Sequence, residues 1–462
     1  MSKSSTARRL IPLLLSAVLV LAGFRCTLLP QKVKELLKPV ALTYWRVWDS
    51  PSDFSDIINR YRSIHPNITI EMRTLRFEEL ADQILRAYAH GTQPDIISMP
   101  VSWLRRYAAR EGFIQAMPGS VTMAYQTKQR TLGVKEEIIV EQRTIPTLTI
   151  GQLQTQYLDT VVRDVVIGGN IYGLPLSVDT LALFYNRELF NVAGIPLPPT
   201  NWNEFQEDVI KLTLRDARGE IVQAGAALGT SNNVRRAVDL VALLMFQNGT
   251  RVMQENGNVV FHTGPTGRDV YHPGQAALRF YTDYANPTKQ VYTWNAQFPD
   301  SIAAFAANQV AMTFGYSFDL AEIRAASKGR LNFGVLPVPQ IAGNSQSVNV
   351  ANYWVETVSS RTPHPNEAWD FLLFANKQEN VTTYLNRTGK PTALRTLINE
   401  QKANDVIGPF ATQLLTARSW YYGFEEPTAE EALRRLINAT LAGGDLNQAM
   451  ILAAQQISQT AR

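Results

Sequence analysis

Apolar and polar positions follow two periods between residues 42 and 99. Residues 42–48 and 95–99 are predicted to form strands. Between them, apolar side chains recur at helical spacing or alternate as in a strand. The positions concerned are Phe54, Ile57, Ile58 and Tyr61 for one helix, Ile68, Ile70 and Met72 for a strand, and Leu80, Ile84, Leu85 and Tyr88 for a second helix. Strands separated by helices predict a mainly parallel sheet covered on both faces, with ligands beyond the carboxyl ends of the strands.

A second pattern occupies residues 168–213. A Gly-Gly-Asn turn precedes two short apolar runs, and the acidic Asp179 stands between them. A short helix then ends at Gly194, and a proline-rich link leads to a helix capped by Thr200 or Asn201. An acidic residue where the chain passes from one body to another is a natural hinge and ligand position.

The remaining chain continues the alternation of strands and helices. Helical spacing predicts helices over 237–246, 276–285 and 367–376, followed by two closing helices around Leu436 and Met450. The stretch 331–339 is predicted to return the chain to the first body. Residues 118–150 are polar, charged and weakly patterned, and we interpret them as a solvated insertion.

Length and charge narrow the class of protein. A chain of 462 residues suits two lobes of roughly 200 residues each. Seven Lys and Arg against Glu35 give residues 1–40 a charge of +6, so the overall +4 leaves −2 for residues 41–462. That balance gives no case for nucleic-acid binding. A single cysteine excludes an internal disulfide framework.

The N-terminus is typical of an export signal. Lys3, Arg8 and Arg9 precede an apolar run over 10–24, which is short for a spanning helix. Residues 21–23 resemble the start of a lipoprotein box, but two residues separate them from Cys26. Lipidation at Cys26, an uncleaved anchor and cleavage near residues 22–23 all stay open, and residues 27–40 would then form a tether.

Four segments in order resemble one protein family. Residues 168–205, GGNIYGLPLSVDTLALFYNRELFNVAGIPLPPTNWNEF, are similar to the central signature of the extracellular solute-binding proteins of ABC importers. The similarity is to the carbohydrate-binding, maltose-binding-protein-like group. TQPDIISMPVSWLRRYAAREGFIQAM (92–117), FAANQVAMTFGYSFDL (305–320) and GKPTALRTL (389–397) resemble further segments of that family.

The resemblance implies an α/β, two-lobe periplasmic-binding-protein-like fold of type II, with mainly parallel sheets flanked by helices and a ligand cleft between the lobes. We expect residues 1–40 to be export signal or anchor and tether. Residues 41–178 plus 335–398 would form the N-terminal lobe, and 179–334 plus 399–462 the C-terminal lobe.

In function, the resemblance implies an exported monomeric receptor, with no catalytic activity and no cofactor or metal. It would capture a carbohydrate by closing its lobes and deliver it to the transmembrane subunits of an ABC importer. Its place would be the extracellular face of the cell membrane, held by the N-terminal anchor, or the periplasm.

A sugar site needs flat rings to cover C–H faces, and carboxylates, amides or guanidinium groups to meet hydroxyls. Side chains of these types at strand ends and crossings are the candidates: Trp48, Asp49, Trp103, Asp179, Trp294, Tyr316, Asn352, Trp354 and Trp420. Phe318 is an alternative to Tyr316 because the register of that turn is open. Asp49 could instead cap a helix, Asp179 a hinge turn, and Trp103 could belong to the core.

Three other functions stay open. Glycerol phosphates or polyamines are possible solutes, and an arginine in the cleft (Arg46 or Arg418) would favour an anion. Asp49 and Asp179 could act as the carboxylate pair of a glycosidase. A surface adhesin or sensor without a transporter is the third alternative.

Overall fold

The computed structural model describes residues 37–131, 135–264, 271–344 and 347–461, so the predicted export signal and Cys26 lie outside the described residues. Its strands, in chain order, are β1 (Val40–Arg46), β2 (Ile68–Thr74), β3 (Ile96–Pro100), β4 (Ile114–Gln115), β5 (Ser120–Thr131), β6 (Lys135–Pro146), β7 (Val166–Ile167), β8 (Asn170–Ile171), β9 (Asp179–Thr180), β10 (Ala182–Asn186), β11 (Leu214–Arg215), β12 (Ile221–Ala226), β13 (Val310–Gly315), β14 (Phe333–Pro337), β15 (Asn349–Asn352), β16 (Trp354–Ser359) and β17 (Ala417–Arg418).

Helices alternate with these strands. They are α1 (Ser55–Ile64), α2 (Phe77–His90), α3 (Ile150–Gln156), α4 (Asp159–Val165), α5 (Arg187–Val192), α6 (Trp202–Leu212), α7 (Ala237–Gln247), α8 (Pro273–Asp283), α9 (Ser301–Ala306), α10 (Asp319–Ala326), α11 (Pro365–Ala375), α12 (Gln378–Thr388), α13 (Ile398–Lys402), α14 (Gly408–Ala411), α15 (Glu426–Leu441) and α16 (Leu446–Gln459). Short 3-10 turns occur at Pro51–Phe54, Val101–Trp103, Arg395–Leu397 and Leu414–Thr416, and a π-helical turn at Arg106–Arg110. Within the described residues, no helix is long and apolar enough to cross a membrane.

Local sequence explains several element ends. The Asn201 side chain accepts hydrogen bonds from the backbone N–H groups of Asn203 (3.0 Å) and Glu204 (3.1 Å), which caps α6 as predicted. Gly91 ends α2 with a φ of 69°, in the left-handed region that favours glycine. Proline at the start of α8, α11 and α15 suits a position whose N–H has no partner within the helix.

Two five-stranded sheets organise the molecule. The first has the order β2-β1-β3-β16-β4, and the second the order β11-β12-β13-β10-β14. Strands β1, β2 and β3 are parallel, as predicted, but β16, which follows the return from the second sheet, runs antiparallel to β3. In the second sheet only β12 and β13 are parallel. Both sheets are therefore mixed.

Each sheet has its own buried core, which defines two lobes. The first core takes its apolar side chains mainly from residues 40–178 and 351–398, and the second mainly from 181–350 and 420–457. Strand β14 pairs with β10 in the second sheet. The chain therefore returns to the first lobe at residues 350–351, whereas the sequence pattern placed this crossing at 331–339.

The three connections between the lobes form one small sheet. Strands β9, β15 and β17 lie in the order β17-β15-β9, and Asn352 is the register partner of Asp179. Hydrogen bonding joins all three crossings, so rotation of one lobe against the other bends a single element. We call this sheet, β17-β15-β9, the hinge sheet, because it is where a rotation of the lobes would bend the chain.

Residues 118–150, interpreted from the sequence as a solvated insertion, contain regular secondary structure. β5 and β6 form a long antiparallel hairpin, paired from Ser120 with Pro146 to Thr131 with Lys135. The base of the hairpin belongs to the first lobe, because Val121 and Met123 are buried in its core.

We expect Gly173→Ala to destabilise the first lobe. An added Cβ would collide with the Val355 side chain and lie 2.8 Å from the carbonyl oxygen of Glu356, on strand β16. Overpacking of this kind costs about 1–3 kcal/mol, which lowers the Tm by roughly 2–10 °C. Gly119→Ala, with no heavy atom within 4 Å of the new Cβ, is the matched control for thermal denaturation. Equal melting temperatures of the two variants would contradict the close packing of Gly173 against strand β16.

Candidate functional site

A cavity of about 1050 Å³ lies between the two lobes. Each of the three crossings contributes to its lining, through Asp179, Asn352 and Ser419 with their neighbours. Its volume is at the upper end for small-molecule sites, which are usually about 300–1,000 Å³. The cavity therefore has room for a ligand larger than a single sugar ring.

Aromatic rings form the wall contributed by the first lobe. The centroids of Trp103 and Phe77 are 5.8 Å apart, and those of Phe77 and Trp48 6.2 Å, with interplanar angles of 24° and 29°. Trp354 meets Phe77 edge-on at 5.9 Å and Trp48 at 6.4 Å. Trp48 is 66% exposed, although exposure of so large a ring is unfavourable in water. Trp48 and Phe77 are exposed and Trp103 and Trp354 half-buried, so the row of rings is a surface that a ligand could cover.

A buried ion cluster lies beneath this wall. The guanidinium of Arg46 forms ion pairs with Asp49 and, at 2.8 Å, with Glu356. Lys390 also pairs with Asp49, and the Tyr384 hydroxyl donates to Asp49 at 2.9 Å. Burial alone would raise the pKa of Asp49, but Arg46 and Lys390 hold it well below its usual value. The cluster is electrically balanced and fixes the end of β1.

The second lobe contributes rings and carboxylates to the opposite wall. Phe318 is 47% exposed, and the buried Tyr316 ring stacks behind it at 5.5 Å. The Trp420 indole N–H donates to Asp239 at 3.1 Å, and the Tyr316 hydroxyl donates to the same carboxylate at 2.9 Å. Arg236 lies over the Phe318 ring, 5.0 Å from its centroid. The rings on this wall are therefore held in place by hydrogen bonds and a cation–π contact.

Asp179 lies at the hinge and lines the cavity. Its Oδ2 accepts hydrogen bonds from the Ser317 N–H at 2.8 Å and the Ser317 hydroxyl at 2.6 Å, and its Oδ1 accepts from the N–H of Thr180. Burial raises the pKa of this carboxyl to about 7. The carboxylate therefore ties the first crossing to the second lobe.

The charges that line the cavity are unevenly compensated. Every lysine and arginine among the described lining residues has an acidic partner: Arg46 with Asp49 and Glu356, Lys390 with Asp49, Arg235 with Asp300, Asp319 and Glu322, Arg236 with Asp319, and Arg387 with Asp56. Asp179, Asp239 and Glu426 have no ion pair within the described chain. Burial raises the pKa of Asp239, and burial with the neighbouring Glu430 and Asp239 raises that of Glu426 to about 8. The cavity therefore offers acidic groups and, among the described residues, no uncompensated cation.

Seven of the nine candidate residues lie together around the cavity: Trp48, Asp49, Trp103, Asp179, Asn352, Trp354 and Trp420. Asp49 lines it from within the ion cluster. Ser102 and Phe318 line it as well, whereas Arg418 is not among the lining residues.

Two candidates lie in the core of the second lobe. Trp294 is fully buried, stacks on Phe298 at 4.5 Å and donates its indole N–H to Asn233 at 3.1 Å. Its loop has no periodicity, so no local pattern indicates that the ring turns inward. Tyr316 is also fully buried, and Phe318, two residues later, takes the exposed place. The register of that turn decides which ring faces the cavity.

Several lining residues escape prediction from the sequence. Phe77 begins α2, Glu356 lies within β16, and Lys390 lies in the loop after α12. Asp239 lies in the first turn of α7, and Glu426 in the first turn of α15. Acidic residues in a first turn are explained by the helix dipole alone, so their position carries no signal for a site.

Comparisons with known proteins agree with this architecture. Residues 56–406 match the family model of the bacterial extracellular solute-binding protein. A galactooligosaccharide-binding protein of Bacillus subtilis (strain 168) is 19% identical over 411 residues, which cover 86% of this chain and 81% of that protein. A cyclic alpha-maltosyl-1,6-maltose binding protein from Arthrobacter globiformis has a similar structure, with a TM-score of 0.70 at 18% identity, covering 92% of this chain and 99% of that one.

A binding protein of Brucella abortus (strain 2308) is 21% identical over 159 residues, 34% of this chain. That match spans 32% of the Brucella protein, about a third of its length. At identities this low, the structural likeness shows the two-lobe α/β fold.

Proposed function

From the premise that this chain belongs to the bacterial extracellular solute-binding protein family, we propose that it is the carbohydrate receptor of an ABC importer. The observation that carries the proposal is the cavity between the lobes, with a row of aromatic rings on one wall and polar side chains on the other. Members of this family are binding proteins, and the cavity's carboxylates are assigned here to binding.

The aromatic wall supports a sugar of more than one unit. The spacings of 5.8 Å and 6.2 Å place the three centroids of Trp103, Phe77 and Trp48 over at most about 12 Å. Pyranose C–H faces pack on such rings, while their hydroxyls donate to carboxylates and amides at the rim. Asn352 and Asp239 provide such groups near the hinge and on the second wall.

The charge distribution opposes an anionic solute. A phosphate or carboxylate entering the cavity would meet cations that already have acidic partners, and acidic groups without an ion pair, among them Asp179, Asp239 and Glu426. Burying a charge without compensation is costly, so glycerol phosphates fit poorly. Polyamines are the second candidate, because Asp179, Asp239 and Glu426 could compensate a cationic ligand.

Closure of the lobes provides the mechanism. The hinge sheet β17-β15-β9 lets each lobe move as a rigid body, and a ligand that touches both walls favours the closed form. In the present structure the lobes already touch at the rim, where Arg106 donates to Glu425 at 3.0 Å. We infer that the closed, loaded form is what the transmembrane subunits of the importer recognise.

Export follows from the family, and attachment is part of the proposal. Residues 1–40 would direct the chain across the membrane and hold it there through lipidated Cys26 or an uncleaved anchor, with the receptor acting as a monomer. Mass spectrometry of the N-terminal peptide from membranes would distinguish the two: a diacylglyceryl Cys26 supports lipidation, and an intact residue 1–26 peptide supports the anchor.

A thermal-shift screen tests the ligand class. The protein would be heated with maltotetraose, mannotriose, galactose, glycerol 3-phosphate or spermidine. A ligand at 100 times its Kd adds about 2.7 kcal/mol of stability, a shift of several degrees. We expect a shift with an oligosaccharide and none with glycerol 3-phosphate. A shift with spermidine alone would transfer the proposal to a polyamine receptor, and no shift at all would favour a surface adhesin or sensor.

A further inference from the structure

Asp164 is a buried acidic residue that bridges the hinge from the first lobe. It lies on α4 and is 5% exposed. Its Oδ2 accepts hydrogen bonds from the Tyr353 hydroxyl and the Ser419 hydroxyl, both at 2.6 Å, and from Thr160 at 3.3 Å. Tyr353 follows the second crossing and Ser419 follows the third. One carboxylate therefore holds two of the three connections between the lobes.

The residues that Asp164 holds are walls of the ligand cavity. Tyr353 and Ser419 both line it, and Ser419 directly precedes Trp420. Trp420 is thereby fixed at two points: its backbone neighbour is bound to Asp164 of the first lobe, and its indole N–H donates to Asp239 of the second lobe. A small displacement of Ser419 would therefore move the ring that faces the ligand.

Asp164 has little compensation for its charge. Arg163, beside it on the helix, forms its ion pair with Glu255 at 3.9 Å, and Oδ1 of Asp164 is buried without a hydrogen-bond partner. Burial raises the pKa of this carboxyl to about 6. The other titratable groups that face it are Tyr353 and Tyr422. Because the pKa of Asp164 is higher in the folded protein than in the unfolded chain, the stability that this carboxyl contributes decreases as pH rises from about 4 to 6. At neutral pH the ionised carboxylate therefore lowers the free energy of unfolding.

We propose that Asp164 is a positioning residue for the ligand cleft, which holds Tyr353 and Ser419 and so sets the place of Trp420 across the hinge. The expected effect on ligand binding rests on the proposed function: a displaced Trp420 would weaken the binding of a ligand in the cavity. Its structural part concerns the hinge alone and is tested without ligand.

The first experiment compares Asp164→Asn with Asp208→Asn by amide hydrogen exchange in the ligand-free protein. Asp208 is a matched control: it is 6% exposed on α6, burial raises its pKa to about 6, and it lies outside the cavity lining. Asparagine keeps one acceptor oxygen for Tyr353 and Ser419 but puts an N–H2 group where the buried Oδ1 has no hydrogen-bond partner, so the Asp164→Asn variant should exchange roughly tenfold faster at residues 350–355 and 417–422 at pH 7.5. At pH 5 the wild-type carboxyl is protonated in the closed hinge and ionised when the hinge opens, which protects the wild type further, so the difference in exchange should increase.

The same variants then give a binding readout, with maltotetraose as the probe in calorimetry. Asp164→Asn should weaken the affinity roughly three- to tenfold at pH 7.5, whereas Asp208→Asn should leave it unchanged. Unchanged exchange at both hinge segments, or an equal increase with Asp208→Asn, would overturn the positioning role. Unaltered affinity despite faster exchange would overturn its link to Trp420. Absence of sugar binding by the wild-type protein would instead reject the proposed function, and the exchange result would still decide the role of Asp164.

Discussion

Replacement of Trp354 with alanine is expected to weaken oligosaccharide binding about 100-fold. Trp354 begins β16 and lines the cavity, and its ring meets Trp48 and Phe77 edge-on at 6.4 Å and 5.9 Å. The substitution removes one stacking surface and the lateral support of two others. Aromatic residues in the middle of a binding surface typically cost about 2–4 kcal/mol on truncation, and 2.7 kcal/mol corresponds to about 100-fold. Titration calorimetry with the best sugar from the screen measures the effect.

Two further variants make this result specific to the aromatic wall. Tyr271→Ala removes an aromatic ring that is 61% exposed outside the cavity, and it should leave the affinity within about twofold. Trp354→Phe keeps a ring and should lose less than the alanine variant. If Trp354→Ala binds as tightly as Tyr271→Ala while both remain folded, the aromatic wall is not the sugar-binding surface.

The sequence predicted the elements more reliably than the way they join. Strong periodicity placed α1 and α2, and the cap at Asn201 placed the start of α6, because these signals are local. The predicted position of the crossing, residues 331–339, was wrong, because an apolar strand has the same sequence pattern whichever sheet it joins. β14 pairs with β10, and only tertiary pairing separates that choice from a return to the first lobe.

In the candidate site, too, the residues predicted correctly are those whose position follows from local sequence, and those missed depend on tertiary contacts. Strand ends identified Trp48 and Asp49, because the chain leaves a parallel sheet at the edge where ligands bind. Trp294 and Tyr316 are buried in the core because a loop sequence does not report which way a ring points. Lys390 reaches Asp49 across 341 positions of sequence, and such a partnership is invisible before folding.

Replacement of Arg46 with methionine is expected to be the most destabilising single change near the cavity. Arg46 is 4% exposed, and its loss leaves Glu356 without a cation and Asp49 with Lys390 alone. Removal of one member of a buried ion cluster costs about 3–5 kcal/mol, because the remaining charge has lost its compensation. The expected result is a urea midpoint lower by about 1–3 M, measured by circular dichroism.

Arg387→Met is the matched control, because this arginine also lines the cavity but pairs with Asp56 where both side chains are partly exposed, at 37% and 48%. An exposed pair contributes about 0–1 kcal/mol, so its midpoint should hardly change. Acid gives a second check. The lowered pKa of Asp49 contributes stability that is present above about pH 4 and is lost as pH falls. The difference in the free energy of unfolding between wild type and Arg46→Met should therefore become smaller below about pH 4. A difference that stays constant in acid would show that packing of the arginine, rather than its charge, stabilises the first lobe.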